Sequence, residues 1–148
     1  MYSSKLETKE HILNVTEAMG HICSELLKRA LNHDASKLVP PELEYFDKFT
    51  PLLKTLKYGT PKYQASLDEL KPALDHHYAH NRHHPEHHKD GVSGMNLVDI
   101  IEMFCDWYAA TKRTKDGSFE NSIEISCKRF QISEQLTKIF HNARKELF

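Results

Sequence analysis

Three stretches of this chain carry residues whose types and spacing suit metal-assisted chemistry. In the first, His33-Asp34 is followed by Ser36 and Lys37. An adjacent imidazole and carboxylate can ligate one divalent metal or bridge two. Lys37, one helical turn after Asp34, can reach the same pocket and meet a phosphate oxygen as a point charge. In the second, Asp99, Glu102 and Asp106 lie on one side of the helical stretch NLVDIIEMFCDWYAAT. Asp106 stands between Cys105 and Trp107, where a buried carboxylate requires a cation or several donors.

The third is HHYAHNRHHPEHHKDG, residues 76–91, which holds seven of the chain's eleven histidines. His77, His83 and His84 are the candidate ligands, with Arg82 as a phosphate fork and Glu86 as a supporting acid. His87 and His88, beyond Pro85, have the surroundings of solvated loop residues. His77, His80 and His84 share a helical face if the helix persists to Pro85. A fourth candidate, His11, lies in the first helix four residues after Glu7. An unbroken helix from His11 to His33 would part them by about 33 Å at about 1.5 Å per residue. A hairpin near Gly20 would bring them together. The stepping of Ile12, Val15, Met19, Ile22 and Leu26 favours continuity, and both readings stay open.

The elements that must position these residues are helical throughout. Pro40-Pro41 opens a second helix that ends at Tyr58-Gly59, and Thr60-Pro61 caps a third that Pro72 should bend or split. Pro85, Gly91 and Gly94 mark residues 82–95 as a loop. Asn96 caps the NLVDIIEM helix, residues 115–121 form a turn, and two shorter helices follow, the last from Ser133. Strand-like alternation is absent, so the expectation is a single all-α domain over residues 1–148, of about five to seven helices.

Composition narrows the function classes. Net charge is −1 over 148 residues, with 39% hydrophobic and 28% charged. The small basic clusters at Lys112, Arg113 and Lys115 and at Lys128-Arg129 argue against nucleic-acid binding. Cys23, Cys105 and Cys127 are odd in number and far apart, which points to a reducing compartment. The polar start MYSSKLETKEH is no signal peptide, and no apolar run spans a membrane. A cytoplasmic protein is expected. The apolar face of the first helix is wide for a monomer and points to a homodimer.

Taken in chain order, His11, His33-Asp34, Lys37, His83-His84 and Asp106 resemble the HD-domain superfamily of metal-dependent phosphohydrolases. Glu86 and Asp90-Gly91 after the paired histidines are similar to its HD-GYP branch, with VSGM where that branch carries G-Y-P. Glu7 four residues before His11, and the Ala and Thr of DWYAAT, match that branch too. HDASK, HHYAHNRHHPEH, MNLVDIIEMFCDW and RFQIS together are similar, end to end, to a bacterial and phage family known as a domain of unknown function.

The superfamily resemblance implies hydrolysis of a phosphoric ester or anhydride in a nucleotide or other small phosphorylated metabolite. One or two divalent ions, with Mn, Fe, Co, Zn and Mg undistinguished, would be held by His33, Asp34, Asp106, His77, His83, His84 and His11. Lys37 and Arg82 would clamp the phosphate, and Glu102 or Glu86 would act as general base or orient a bound histidine. Two other functions remain: a non-catalytic metal- or nucleotide-binding module, and a di-iron oxygenase on a scaffold of this type.

Overall fold

The computed structural model describes residues 3–56, 60–113 and 117–148. Among these the chain is all-α: α1 (Ser4–Asn32), α2 (Glu42–Thr55), α3 (Pro61–His80), α4 (Leu97–Thr111), α5 (Phe119–Arg129) and α6 (Glu134–Leu147). Three short 3-10 helices, Ala35–Leu38, Pro85–His87 and Gly91–Gly94, fill the connections. Tyr58-Gly59 and Lys115 lie outside the described residues, as do the first two residues of the expected 115–121 turn; Phe119 already belongs to α5.

The chain groups into two units, Met1–His33 and Asp34–Phe148. The first is α1, capped by the Ser3 hydroxyl, which accepts from the Leu6 N–H. It runs through Gly20 without a break, and none of its residues is buried. The continuous 3-4-3-4 apolar stepping, and not the single glycine, therefore describes this segment.

In the second unit, local signals act where they stand. Thr60, Asn96, Ser118 and Ser133 each accept a backbone N–H at the start of their helix, and Asn96 and Asp99 form a reciprocal capping box. Pro72 sits inside α3 without dividing it. Proline removes one backbone hydrogen bond, and the flanking residues Leu70 and Ala73 anchor the helix by packing with Phe49 of α2. α4, α5 and α6 enclose the larger apolar core, of Met103, Phe104, Trp107, Ile123, Cys127 and Phe140. Burying side chains of this size contributes roughly 1.5–3 kcal/mol each. The α2–α3 pair and the α4–α6 group are joined by residues 81–96, and the candidate site is built at that join.

Candidate metal centre

Asp34 comes first, because its backbone sets the direction of its carboxylate. It adopts φ +56°, in the left-handed region where Asp is among the few tolerated non-glycine residues. There it turns the chain into the 3-10 helix over Ala35–Leu38, whose Lys37 N–H donates to the Asp34 carbonyl at 2.9 Å. One carboxylate oxygen, Oδ2, accepts from Lys37 Nζ at 2.7 Å. The other, Oδ1, faces His77 Nε2 at 3.1 Å and His83 Nε2 at 3.6 Å.

His77 occupies the last turn of α3 and is 1% exposed. Its Nδ1 lies 2.9 Å from Glu42 Oε2. The surrounding hydrogen bonds assign the tautomer. Both Asn81 Nδ2 hydrogens are taken, by Ser36 Oγ and the His77 carbonyl, each at 2.8 Å. The Ser36 hydroxyl donates to Glu42 Oε2 at 3.0 Å. That leaves His77 Nδ1–H to donate to the same carboxylate and turns Nε2 toward Asp34. α3 then ends at His80, and the chain folds back so that His84 Nε2 comes within 3.0 Å of His77 Nε2. His84 therefore reaches His77 by reversal of the chain after α3, not along a continued helical face.

His83, 2% exposed, repeats the arrangement. Its Nδ1 meets Glu102 of α4 at 3.2 Å and its Nε2 faces Asp34. Two imidazoles are thus each bracketed by carboxylates, with Asp34 Oδ1 common to both. An imidazole nitrogen turned to a carboxylate oxygen at this range needs positive charge between them, a proton or a metal ion. Burial, and then the neighbouring His83 and His77, push His84 down to about 3 against the pull of Asp106 and Asp34. His84 is accordingly neutral near neutral pH, with a nitrogen lone pair to offer.

Asp34, His77, His83 and His84 carry ligand atoms that all lie within 4.8 Å of one another and could hold a metal ion. Two atoms bound to one ion at about 2.1 Å lie about 3.4 Å apart at a tetrahedral angle and about 3.0 Å apart at the right angle of an octahedral site. The closest pairs, at 3.0 and 3.1 Å, match the second spacing. Three imidazoles and one carboxylate form a donor set suited to borderline divalent transition metals. Asp106, half-buried on α4, brings a ligand atom within 4.8 Å of that of His83.

Other expected site residues are placed differently. Arg82, expected as a phosphate fork, donates through Nε and Nη2 to Asp99 at 3.2 and 3.0 Å. Asp99 is wholly buried and also accepts the Asn96 N–H, so this pair fastens the 82–96 segment to the start of α4. Glu86 accepts from Arg129 of α5 at 2.8 Å. Glu102 is the supporting acid, through His83. His11 lies on continuous α1, 22 residues ahead of His33. On that unbroken helix it is about 33 Å along the axis from His33. His33 closes the first unit and is half-buried.

His87 and His88 are not merely solvated: His87 Nδ1 bonds the Tyr78 carbonyl at 2.8 Å and His88 Nε2 the Arg82 carbonyl at 2.9 Å. Gly94 permits this, since a Cβ there would stand 3.0 Å from the His88 Cβ.

Sequence reasoning missed Glu42, Ser36 and Asn81 as parts of the site. Glu42 is 0% exposed and accepts from His76 Nδ1 at 2.7 Å as well as from His77 and Ser36. Burial would raise its pKa, but the bonds from His76, Ser36 and His77 outweigh burial and hold it below its ordinary value. A second His/Glu group, Glu120, Glu124 and His141, joins α5 to α6 and includes an ion pair from Arg144 to Glu120. Arg144 offsets one of its two acids, and the group serves as an interhelical tie.

Comparison with curated proteins and with solved structures returns no match. Among the described residues no helix is long and apolar enough to cross a membrane. Residues 1–148 match the family described as "Family of unknown function (DUF5662)", and the chain belongs to that family.

Proposed function

We propose that this chain is a metal-dependent phosphohydrolase acting on a nucleotide or another small phosphorylated metabolite. The observation that carries the proposal is the pair of carboxylate-bracketed imidazoles, His77 and His83, converging with His84 on Asp34 Oδ1. A bound divalent ion would supply a water of lowered pKa and would offset charge developing on the phosphoryl oxygens. Asp34, His77, His83 and His84 would hold the first ion, and Asp106 is the candidate for completing that shell or a second site.

Lys37 is the group that favours phosphate chemistry over metal storage. Its ammonium sits on Asp34 Oδ2, against the Phe46 ring at 5.3 Å, and its side chain keeps 29% exposure. It is thus fixed beside the ion's carboxylate ligand yet open to a substrate oxygen. Glu102 orients His83 and is also the nearest candidate for accepting a proton. The resemblance of His33-Asp34, Lys37 and Asp106 to the HD-domain pattern supports the same chemistry.

The decisive experiment pairs elemental analysis of the purified protein with a phosphatase and nucleotidase panel supplemented with Mn²⁺, Co²⁺, Mg²⁺ or Zn²⁺. Lys37→Ala should retain metal and fold and lose turnover by about 10²–10³-fold, the effect of removing one preorganised charge donor. Absence of both metal and activity would overturn the proposal.

One observation favours a second function, that of a structural metal module. His77 and His83 are almost fully buried and four protein donors converge, as in closed sites. In that case metal is bound, no substrate is turned over, and Lys37→Ala changes nothing beyond a small shift in melting temperature.

A further inference from the structure

We infer that Glu42 is a positioning residue of the metal centre: its carboxylate fixes the His77 ring and raises the basicity of the nitrogen that faces the ion. This rests on the metal-binding proposal above.

Glu42 lies in the first turn of α2, at the start of an ordinary-looking PELEYF segment, yet it is fully buried. Its neighbour Glu44, in the same turn, is exposed, so helix-end electrostatics do not require a buried acid here. A carboxylate taken out of water is costly unless charge or several donors compensate it. Among the described residues no lysine or arginine pairs with Glu42; its donors are the hydroxyl of Ser36 and the rings of His76 and His77. The nearby lysine, Lys37, is engaged with Asp34.

Beyond these donors, a further source of compensation lies across the His77 ring. With Nδ1–H held by Glu42, the Nε2 lone pair points at the space shared by Asp34 and His84. A cation there interacts with Glu42 through the polarised imidazole, and the ring cannot flip its tautomer without losing the bond. Glu102 does the same for His83 from the other side, at 3.2 Å. The two carboxylates come from different parts of the fold, α2 and α4, and support two different ligands of one centre. His76, which shares Glu42, is 33% exposed in its side chain and turns the second oxygen outward, so Oε2 is the atom that serves the site.

The test is a Co²⁺ titration of the full chain after chelator treatment, followed by absorbance and calorimetry. Glu42→Gln keeps the shape of the side chain and its oxygen acceptor and removes the charge. Co²⁺ should bind it about 10–100-fold more weakly, the range for outer partners of metal-bound histidines. The metal-free variant should keep its helical circular dichroism. Glu42→Asp, which retains the charge on a shorter arm, should recover part of the affinity. It also carries the test if the Gln variant does not fold, by showing weaker Co²⁺ binding than the wild type. Glu44→Gln, in the same helical turn but exposed, should bind as the wild type does.

Equal Co²⁺ affinity in the wild type and a folded Glu42 variant would overturn the role of Glu42 and leave the metal centre standing. A wild-type chain that binds none of Co²⁺, Zn²⁺ or Mn²⁺ would overturn both.

Discussion

His83 and His88 lie five residues apart in one histidine-rich run, and both are largely withdrawn from solvent. His83 is backed by the Glu102 carboxylate and turns its other nitrogen to Asp34. His88 gives its Nε2 to the Arg82 carbonyl and lies 3.9 Å from Asp99, an acid already committed to Arg82 and Asn96. The first arrangement aims a nitrogen at a place where positive charge is wanted; the second staples a loop. His77 belongs with His83, and His84 joins them through its Nε2, 3.0 Å from His77 Nε2. His80 and His87 belong with His88, since each gives Nδ1 to a backbone carbonyl. What separates the groups is the partner on the far side of the ring. A carboxylate confers basicity and orientation, whereas a carbonyl within the same segment only closes a turn.

The sharpest way to break this division is to truncate one member of each class. His83→Ala should abolish metal binding, by more than about 100-fold and so beyond the range expected of outer partners. His88→Ala should leave metal affinity within a few fold and cost about 1 kcal/mol of stability, one hydrogen bond's worth. Calorimetric titration and urea denaturation read both quantities, and comparable metal loss in the two variants would dissolve the distinction.

A smaller effect is expected from pH in the metal-free protein. His84 is held down to about 3 in the folded chain, against 6.5 unfolded. Protons therefore favour the unfolded state between those values. Stability is complete above about 6.5 and falls as the pH falls toward 3. From pH 7 to pH 5 His84 alone would cost about 2 kcal/mol. Glu42, also lowered, adds to the loss once the pH drops through the range below its ordinary 4.5. Urea midpoints at pH 7, 6 and 5 in chelator check this, and a flat profile would show that His84 takes up its proton without unfolding. The smallest effect belongs to His80→Ala on the exposed end of α3, which should alter stability by no more than about 0.5 kcal/mol and metal affinity not at all.

Much of the scaffold was legible in residue order because its causes are local. The stepping from Ile12 to Leu26 is a helix and remains one through Gly20. Thr60, Asn96 and Ser133 cap the helices they precede, and Pro41 stands at the start of α2. Pro72 shows where local rules give way: the expected bend or division did not occur, since packing of Leu70 and Ala73 on Phe49 carries α3 across one missing hydrogen bond.

The candidate cluster was legible as a set of residue types. Asp34 with His77, His83 and His84 does converge, and Lys37 does reach the Asp34 carboxylate, one turn away. Nothing in the neighbours of Arg82 reveals that Asp99, seventeen residues on, accepts from two of its three guanidinium nitrogens. Glu42 looked like any acid in a first helical turn.

The helices and their caps are readable from residue order because they depend on neighbours within about one turn, and the stock of candidate ligands is readable from residue type. Which of these side chains converge is set by contacts distant in the chain. The partners that assign each imidazole its direction lie 35 residues away for His77, at Glu42, and 19 for His83, at Glu102. An imidazole has two nitrogens and no fixed role until one is claimed, and here α2 and α4 make the claim.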